Sequence, residues 1–148
     1  PSQTIRQFGV KLKHSVNRSC IEDKRVILID DSIVRGTTAS KIVKMVYEAG
    51  AKEVHLGISC PPIKHPDFYG IDTPNYNELI ASKSNIEEMT ELVGAKSLFF
   101  LSLDGTYKAM GYNERNKELP QFTDHCFTGE YPIDISEILK INSYNASR

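Results

Sequence analysis

The chain has 148 residues, which suits one domain of ordinary size, and with 40% hydrophobic and 25% charged residues its composition is globular rather than disordered. A net charge of −1 leaves no overall basic field to hold nucleic acid or an anionic membrane, and the three cysteines give neither a disulfide framework nor a complete metal site. The longest apolar runs fall far below the roughly 20 residues that cross a bilayer. We therefore expect a cytoplasmic protein without nucleic-acid or membrane partners.

Residues 1–25 contain six basic residues against two acidic ones, with only scattered apolar residues between them. This pattern predicts a mobile loop, and a solvated flank fits it equally well. The sequence begins at Pro1 in a polar stretch that is typical of the middle of a protein. We therefore expect the domain to be incomplete at its amino-terminal side.

The next segment predicts a strand, a helix and a second strand. Val26 to Ile29 is a continuous apolar run, which favours a central strand buried on both faces of a parallel sheet. Thr38 to Ala49 has apolar residues at helical spacing, and Gly50 supplies a left-handed stop. Glu53 to Ser59 predicts the second strand, so the fold class is α/β.

Prolines interrupt residues 61–74 and predict a loop across the edge of the sheet. Asn75 with Glu78 predicts the start of one short helix. Ser84 with Glu87 predicts a capping box at the start of another.

Ser97 to Leu103 predicts another buried strand, and Asp104 is a candidate cap for a short helix that runs to Met110. We therefore place an α/β core at 26–111 and a carboxyl-terminal tail at 112–148. That tail is polar until a last amphipathic turn or two, indicated by Ile135, Ile138, Leu139 and Ile141.

The stretch VILIDDSIVRGTTAS, residues 26–40, contains the most informative chemistry. Gly36 allows a close backbone approach to an anion, the amides of the following helix point at it, and Thr37 and Thr38 add hydroxyl donors. Asp30 and Asp31 follow the strand at the sheet edge where α/β proteins bind ligands, and they suit sugar hydroxyls or Mg²⁺. A phosphorylated ribose fits both halves of this pattern.

Each half also has an ordinary explanation. An acidic residue at a strand end is a common helix cap, and Gly-Thr-Thr by itself is an ordinary turn. A phosphorylated-aspartate receiver domain also has an acidic pair after a strand, but it gives no reason for the Arg-Gly-Thr-Thr that begins at Arg35. The two halves together, in this order, favour the sugar-phosphate site.

At this point the sequence resembles a known family. DDSIVRGTT at 30–38 is similar to the phosphoribosylpyrophosphate (PRPP) loop of the glutamine phosphoribosylpyrophosphate amidotransferases. The segments EAGAKEVHLGISCPPIKHPDFYGIDTP at 48–74, ELIA at 78–81, GAKSLFFLSLDG at 94–105 and CFTGEYP at 126–132 are similar to the carboxyl-terminal part of the same family. The resemblance covers nearly the whole chain.

The resemblance implies a type I phosphoribosyltransferase fold, with a parallel sheet that is incomplete at its amino-terminal side. It assigns Asp30 and Asp31 to the ribose hydroxyls and Mg²⁺. The PRPP-binding set is completed by Ser32, Arg35, Gly36, Thr37 and Thr38.

Family members transfer ammonia, released from glutamine by an amino-terminal glutaminase domain, to PRPP, and phosphoribosylamine for purine synthesis is the product. The resemblance thus implies a transferase with PRPP and purine nucleotides as ligands, a missing glutaminase part as partner, and a homo-oligomer at full length. The alternative is a non-catalytic remnant or nucleotide-binding module. Because this chain contains no glutaminase nucleophile, we expect it to make no phosphoribosylamine by itself.

The opening stretch PSQTIRQFGVKLK resembles the end of the family's flexible loop, which closes over PRPP. The resemblance therefore implies that Arg6 and Lys13 are the catalytic cations of that loop.

Many relatives also hold an iron–sulfur cluster through cysteines at three places where this chain has Asp67, Thr123 and Cys126. A cubane cluster needs about four ligands, usually all cysteine, so we expect no cluster and interpret Cys126 as a relic. We interpret Cys20 and Cys60 as small buried residues. The histidines at 14, 55, 65 and 125 lack metal spacing and are predicted to lie at the surface or in the core.

Overall fold

The structure is a computed structural model that describes residues 16–73 and 75–138. The flexible-loop assignments of Arg6 and Lys13 and the apolar residues Leu139 and Ile141 lie outside the described residues.

A three-stranded parallel sheet forms the centre of the described chain. Its strands are β1 (Arg25–Asp30), β2 (Glu53–Ile58) and β3 (Ser97–Phe100), in the order β1-β2-β3. Leu28 lies opposite Leu56, which in turn lies opposite Leu98. The predicted α/β class and parallel sheet are confirmed.

Helices and 3-10 turns connect and flank the strands. The helices are α1 (Arg18–Ile21), α2 (Thr37–Glu48), α3 (Ile86–Val93), α4 (Leu103–Ala109) and α5 (His125–Thr128), and the 3-10 turns are Tyr76–Glu78 and Ile80–Ser82. No helix in the described ranges combines the length and apolar character needed to traverse a lipid bilayer.

The hydrophobic core lies between one face of the sheet and helices α2 and α3. Apolar residues at helical spacing point from both helices onto alternate strand residues, as an amphipathic helix on a pleated surface requires. The most deeply buried members are Val43, Val54, Leu56, Ile58, Met89 and Val93. This layer fixes the end of β1 and the start of α2, which enclose the candidate site.

The other face of the sheet is exposed. Ile27 is 64% exposed, Ile29 68% and Phe99 48%. The prediction that Val26 to Ile29 is buried on both faces was therefore wrong for this chain, because β1 pairs only with β2 and the described residues place no element over its second face. Such an open sheet fits the expectation that the phosphoribosyltransferase-type sheet is incomplete.

Two helix starts differ from the sequence prediction by one or two residues. The capping box of α3 is Asn85 with Glu88, in which each side chain accepts the other's backbone N–H at 2.9 Å. Strand β3 ends at Phe100 rather than Leu103, and Ser102, not Asp104, caps α4 by accepting the Gly105 N–H at 3.0 Å. Neighbouring polar residues have similar capping propensities, so only the backbone decides between them.

Ordered structure also occurs where the sequence predicted mobile or polar chain. Helix α1 lies in the predicted opening loop, where Cys20 is exposed rather than buried. In the tail, the Arg115 guanidinium contacts both carboxylate oxygens of Asp124, with Nε at 2.5 Å from Oδ2, and Tyr107 donates to Oδ2 at 2.8 Å. Burial raises the pKa of Asp124, but the bonds from Arg115 and Tyr107 outweigh it and hold that pKa below its ordinary value. This ion pair anchors the tail against α4.

Candidate functional site

The loop after β1 presents two carboxylates at the carboxyl edge of the sheet. Asp30 is the last residue of β1. Its backbone carbonyl accepts two hydrogen bonds from Ser59, one from the backbone N–H at 2.9 Å and one from the side-chain hydroxyl at 3.1 Å. Its Oδ1 accepts the Asp31 N–H at 3.0 Å, and the hydroxyl of Ser32 donates to Asp31 Oδ1 at 3.3 Å. Asp31 is exposed, so its carboxylate faces solvent.

The middle of the loop is anchored from behind. Ile33 is 3% exposed and belongs to the core, and the carbonyl of Val34 accepts the N–H of Ile80 at 2.9 Å. These two contacts hold the backbone in place without using the polar side chains of the loop.

Gly36 turns the chain into α2. It has a φ of +75°, in the left-handed region that favours glycine, and a Cβ at this position would lie 3.1 Å from Ile80 Cδ1. Gly36 is the N-cap of α2, no side chain caps the helix, and its first turn contains no acidic residue. The first amides of α2 are therefore available to an anion at the positive end of the helix.

These residues surround one cavity of about 290 Å³, lined by residues 30–39. It contains all seven residues of the predicted PRPP set: Asp30, Asp31, Ser32, Arg35, Gly36, Thr37 and Thr38. The structure thus brings the predicted set together, and the binding role of each residue stays a prediction. The predicted loop cations Arg6 and Lys13 are outside the described residues.

The side chain of Arg35 has a partner of its own. Its guanidinium forms an ion pair with the carboxylate of Glu78, which belongs to the first 3-10 turn. The two side chains are 49% and 39% exposed, so the pair is accessible to competing anions. Sequence reasoning assigned Arg35 to phosphate and did not find Glu78, because the two residues are 43 positions apart.

Larger cavities also occur in the described part of the chain, so volume alone does not identify the site. One of about 700 Å³ adjoins the loop and is lined by residues of 35–41 and 77–84 together with Leu92. Another, of about 780 Å³, lies in the tail between residues 117 and 132, and one of about 480 Å³ lies between residues 83 and 92. Among these cavities of the described residues, the one at 30–39 combines a carboxylate pair with the open amino-terminal end of a long helix. We therefore select it on chemistry.

The donor set of this cavity also fits Mg²⁺. That ion prefers oxygen ligands, keeps several waters, and is commonly held by one or two carboxylates together with substrate phosphates. Asp30 and Asp31 offer adjacent carboxylates, of which one is exposed, beside a place for a phosphate.

The structure brings a second group of polar side chains together, away from this loop. Asp67 and His125 are 4% and 3% exposed, and His125 Nε2 lies 2.8 Å from Asp67 Oδ2. Cys126 Sγ lies 3.5 Å from the same nitrogen and 4.0 Å from Asp67 Oδ2. Sequence reasoning marked Asp67 as an altered cluster position and Cys126 as the one retained cluster cysteine, but it placed His125 among the histidines without metal spacing.

The charges in this second group differ between its members. Burial raises the pKa of Asp67, but N–H donors from Ile71 and Tyr69 and the His125 ring outweigh it, so the net shift is downward. Burial and the Asp67 charge raise the pKa of the Cys126 thiol to about 11. The group provides one sulfur ligand, which does not fit an iron–sulfur cluster. The absence of a cluster stays a prediction.

Comparison with known proteins identifies the relatives of the chain. Over 133 residues, 89% of the chain, it is 59% identical to the amidophosphoribosyltransferase of Rhizobium etli, and it spans 27% of that protein. It is 51% identical to the chloroplastic amidophosphoribosyltransferase 1 of Arabidopsis thaliana over 93% of the chain and 24% of the relative. No protein-family model matches the chain.

A solved structure agrees with these relatives. The chain resembles the glutamine PRPP amidotransferase of Bacillus subtilis, solved in complex with ADP and GMP, with a TM-score of 0.78 and 50% identity over 93% of this chain and 30% of that one. The fold is thus that of a phosphoribosyltransferase, in agreement with the loop chemistry described above. The chain belongs to the amidophosphoribosyltransferase family, and it spans about a quarter of the length of the curated relatives it matches.

Proposed function

We propose that the chain is the PRPP-binding part of an amidophosphoribosyltransferase, an enzyme that transfers glutamine-derived ammonia to PRPP and forms phosphoribosylamine for purine synthesis. The observation that carries this proposal is the cavity at 30–39, where a carboxylate pair at a strand end faces the open amino-terminal end of α2. The high identity to the named relatives supports it independently.

In this proposal the two halves of the cavity bind different parts of PRPP. Asp30 and Asp31 accept hydrogen bonds from the ribose 2′- and 3′-hydroxyls. The 5′-phosphate binds at Ser32 and at the residues from Arg35 to Thr38, where backbone amides and the hydroxyls of Thr37 and Thr38 donate to it. Because these donors are fixed by the core and by Ile80, the sugar is held in one orientation.

Asp30 and Asp31 would also hold Mg²⁺, which when bound would neutralise the pyrophosphate as it leaves. As the bond to pyrophosphate breaks, positive charge develops on the ribose. The carboxylates beside the sugar favour that charge, and no acid–base residue is needed at this stage.

The remaining parts of the proposal concern the full-length protein. We propose a homo-oligomer with an amino-terminal glutaminase part, and purine nucleotides as further ligands, which the ADP and GMP of the Bacillus structure support. We place the protein in the cytoplasm, although the plant relative is named for the chloroplast. Arg6 and Lys13 are proposed as cations of the closing loop.

Calorimetric titration of the chain with PRPP and Mg²⁺ tests the site. Asp31→Asn should weaken PRPP binding by about 10- to 150-fold, because a charge-assisted hydrogen bond contributes about 1.5–3 kcal/mol. Asp23→Asn is the matched control, since it makes the same change at the opposite end of β1, where Asp23 has a φ of 62° that Asn tolerates. Equal PRPP affinities for the wild type and Asp31→Asn would contradict the role given to Asp31.

The alternative, a remnant or nucleotide-binding module without transfer activity, predicts the same binding but no chemistry in any longer form. Reading the DNA upstream of Pro1 for a glutaminase-encoding frame separates the two possibilities. The chain alone should release no pyrophosphate from PRPP with Mg²⁺ and high ammonia. Turnover that disappears in both Asp30→Asn and Asp31→Asn would show instead that the 148-residue chain is a complete catalyst.

A further inference from the structure

We propose that Asp67, His125 and Cys126 form a binding site for a single zinc ion that joins the 61–73 loop to helix α5. This site is separate from the PRPP cavity and does not depend on the proposed transferase function. One carboxylate oxygen, one imidazole nitrogen and one sulfur are ligand types that zinc accepts in proteins.

The distances between the three donor atoms fit such an ion. Oδ2, Nε2 and Sγ are separated by 2.8, 3.5 and 4.0 Å. Tetrahedral angles with metal–ligand distances of about 2.0–2.3 Å imply separations of about 3.3–3.6 Å. The nitrogen–sulfur distance already matches, and each of the other two needs a shift of about 0.5 Å, which is within the reach of side-chain rotation.

The orientation of the histidine distinguishes this group from a nucleophile and base. In a Cys–His–Asp triad the cysteine and the carboxylate contact opposite ring nitrogens. Here both contact Nε2, which can hold only one proton, so three donor atoms converge on one point. A cation at that point satisfies all three at once.

Burial and access also favour a metal. Asp67 and His125 are almost completely buried, whereas Cys126 is partly exposed and provides an entry path for the ion. Without an ion, the Asp67 carboxylate accepts a hydrogen bond from His125 Nε2–H, and Nδ1 has no partner among the described residues. Zinc binding replaces the Nε2–H···Oδ2 hydrogen bond with bonds to the ion, and it moves the ring proton to the buried Nδ1, where the missing partner reduces the gain in free energy.

The protonation changes balance in a defined way. On zinc binding, the Cys126 thiol releases its proton to solvent, and the His125 proton moves from Nε2 to Nδ1. The thiolate and the Asp67 carboxylate together neutralise the charge of the zinc ion, and the fourth position is taken by water. One proton is thus released for each ion bound.

The test uses the whole chain fused to a solubilising carrier protein. Zinc content is measured after purification, and Co²⁺ replacement is followed by thiolate-to-cobalt absorption. We expect about one zinc ion per chain, a thiolate–cobalt band, and release of about one proton per ion in calorimetry with buffers of different ionisation enthalpy. Cys126→Ser and His125→Gln should lower zinc affinity by more than the 10- to 100-fold typical of outer-shell changes.

Cys60→Ser is the matched control. Cys60 is a half-buried thiol whose pKa is also raised to about 11, by burial and by Asp31, and its Sγ donates a hydrogen bond to the Pro61 carbonyl at 3.2 Å, away from the proposed zinc ligands. This variant should keep both zinc and the cobalt band. The proposal is overturned by zinc binding equal in the wild type and Cys126→Ser, by a cobalt band that survives Cys126→Ser, or by stoichiometric iron with sulfide, which would also refute the expected absence of a cluster.

Discussion

The guanidinium of Arg35 is paired with the carboxylate of Glu78, so the cation of the proposed phosphate loop is already bound to an anion of the same chain. A ligand phosphate that uses Arg35 must compete with Glu78. Since both side chains are partly exposed, the pair contributes at most about 1 kcal/mol, and the competition is correspondingly mild.

Glu78→Gln should therefore increase the affinity for PRPP by up to about fivefold, because it releases Arg35 toward the ligand. Titration calorimetry with PRPP and Mg²⁺ measures this change. Glu48→Gln, at the far end of α2 in an exposed pair with Lys44, is the control for the loss of one negative charge. A lower affinity in Glu78→Gln than in Glu48→Gln would mean that Glu78 positions Arg35 for the ligand.

Gly36→Ala should lower both stability and ligand affinity. The left-handed conformation costs a residue with a Cβ about 1–2 kcal/mol, and the new methyl group would lie 3.1 Å from Ile80 Cδ1, beside the first amides of α2 where we propose that the phosphate binds. Gly94→Ala separates the two effects, because Gly94 has a similar φ of +74° with nothing within 4 Å of the new Cβ. Urea unfolding should therefore show similar losses for both variants, while only Gly36→Ala weakens PRPP binding. Unchanged binding in Gly36→Ala would contradict a close approach of the phosphate to this residue.

The exposed sheet face should make the chain associate or bind hydrophobic dyes. Ile29 and Phe99 lie on that face on either side of Gly57, and their side chains meet above it. A Cβ added at Gly57 would lie 2.9 Å from Ile29 Cδ1 and 2.6 Å from the Phe99 ring. Replacing both with Thr should reduce dye binding and aggregation, measured by fluorescence and light scattering, with little loss of folding. Leu56→Thr, on the buried face of β2, should instead destabilise the fold. Unchanged association in the double variant would mean that another surface is responsible.

The Arg115–Asp124 pair predicts a pH-dependent stability of the tail. Because the folded-state pKa of Asp124 is lowered, its contribution is fully present above the unfolded pKa of about 3.9 and is lost as pH falls through the folded pKa. Asp124→Asn should cost about 3 kcal/mol at neutral pH, the low end of the cost of breaking a buried ion pair, because the buried Arg115 keeps its second carboxylate partner, Glu130. Thermal unfolding from pH 7 to pH 2 should show the difference from wild type shrinking at the acid end.

Asp134→Asn is the control for that experiment, because Asp134 is exposed and bonds only to Ser136 nearby. Its effect on the melting temperature should be much smaller. A constant difference between Asp124→Asn and wild type over the whole pH range would contradict the lowered pKa.

The parts of the molecule that could be predicted from sequence depend on local signals. The strand from Val26 to Ile29, the helix from Thr37 and the turn at Gly36 follow each other within 25 residues, and their apolar spacing and backbone requirements are written into that segment. The cavity that they enclose was therefore predictable in composition and position.

The features that sequence reasoning missed depend on contacts between distant residues. Asp67 and His125 are 58 positions apart, and neither has a local pattern that marks it as buried. The same holds for Glu78 opposite Arg35. The wrong prediction that β1 is buried on both faces has a different cause. An apolar run indicates that a strand tends to be buried, but it does not indicate which residues cover each face of that strand.

Amide chemical shifts can locate the bound ligand directly, with ribose 5-phosphate and Mg²⁺ added to the isotope-labelled chain. If the ligand binds in the cavity at 30–39, the largest shifts occur at Asp31, Gly36, Thr37 and Thr38. Lys24 and Lys52, at the opposite end of the sheet, stay unchanged, and Asp31→Asn weakens the response. Shifts confined to the larger tail cavity between residues 117 and 132, with the amides from 30 to 39 unmoved, would contradict binding in the cavity at 30–39.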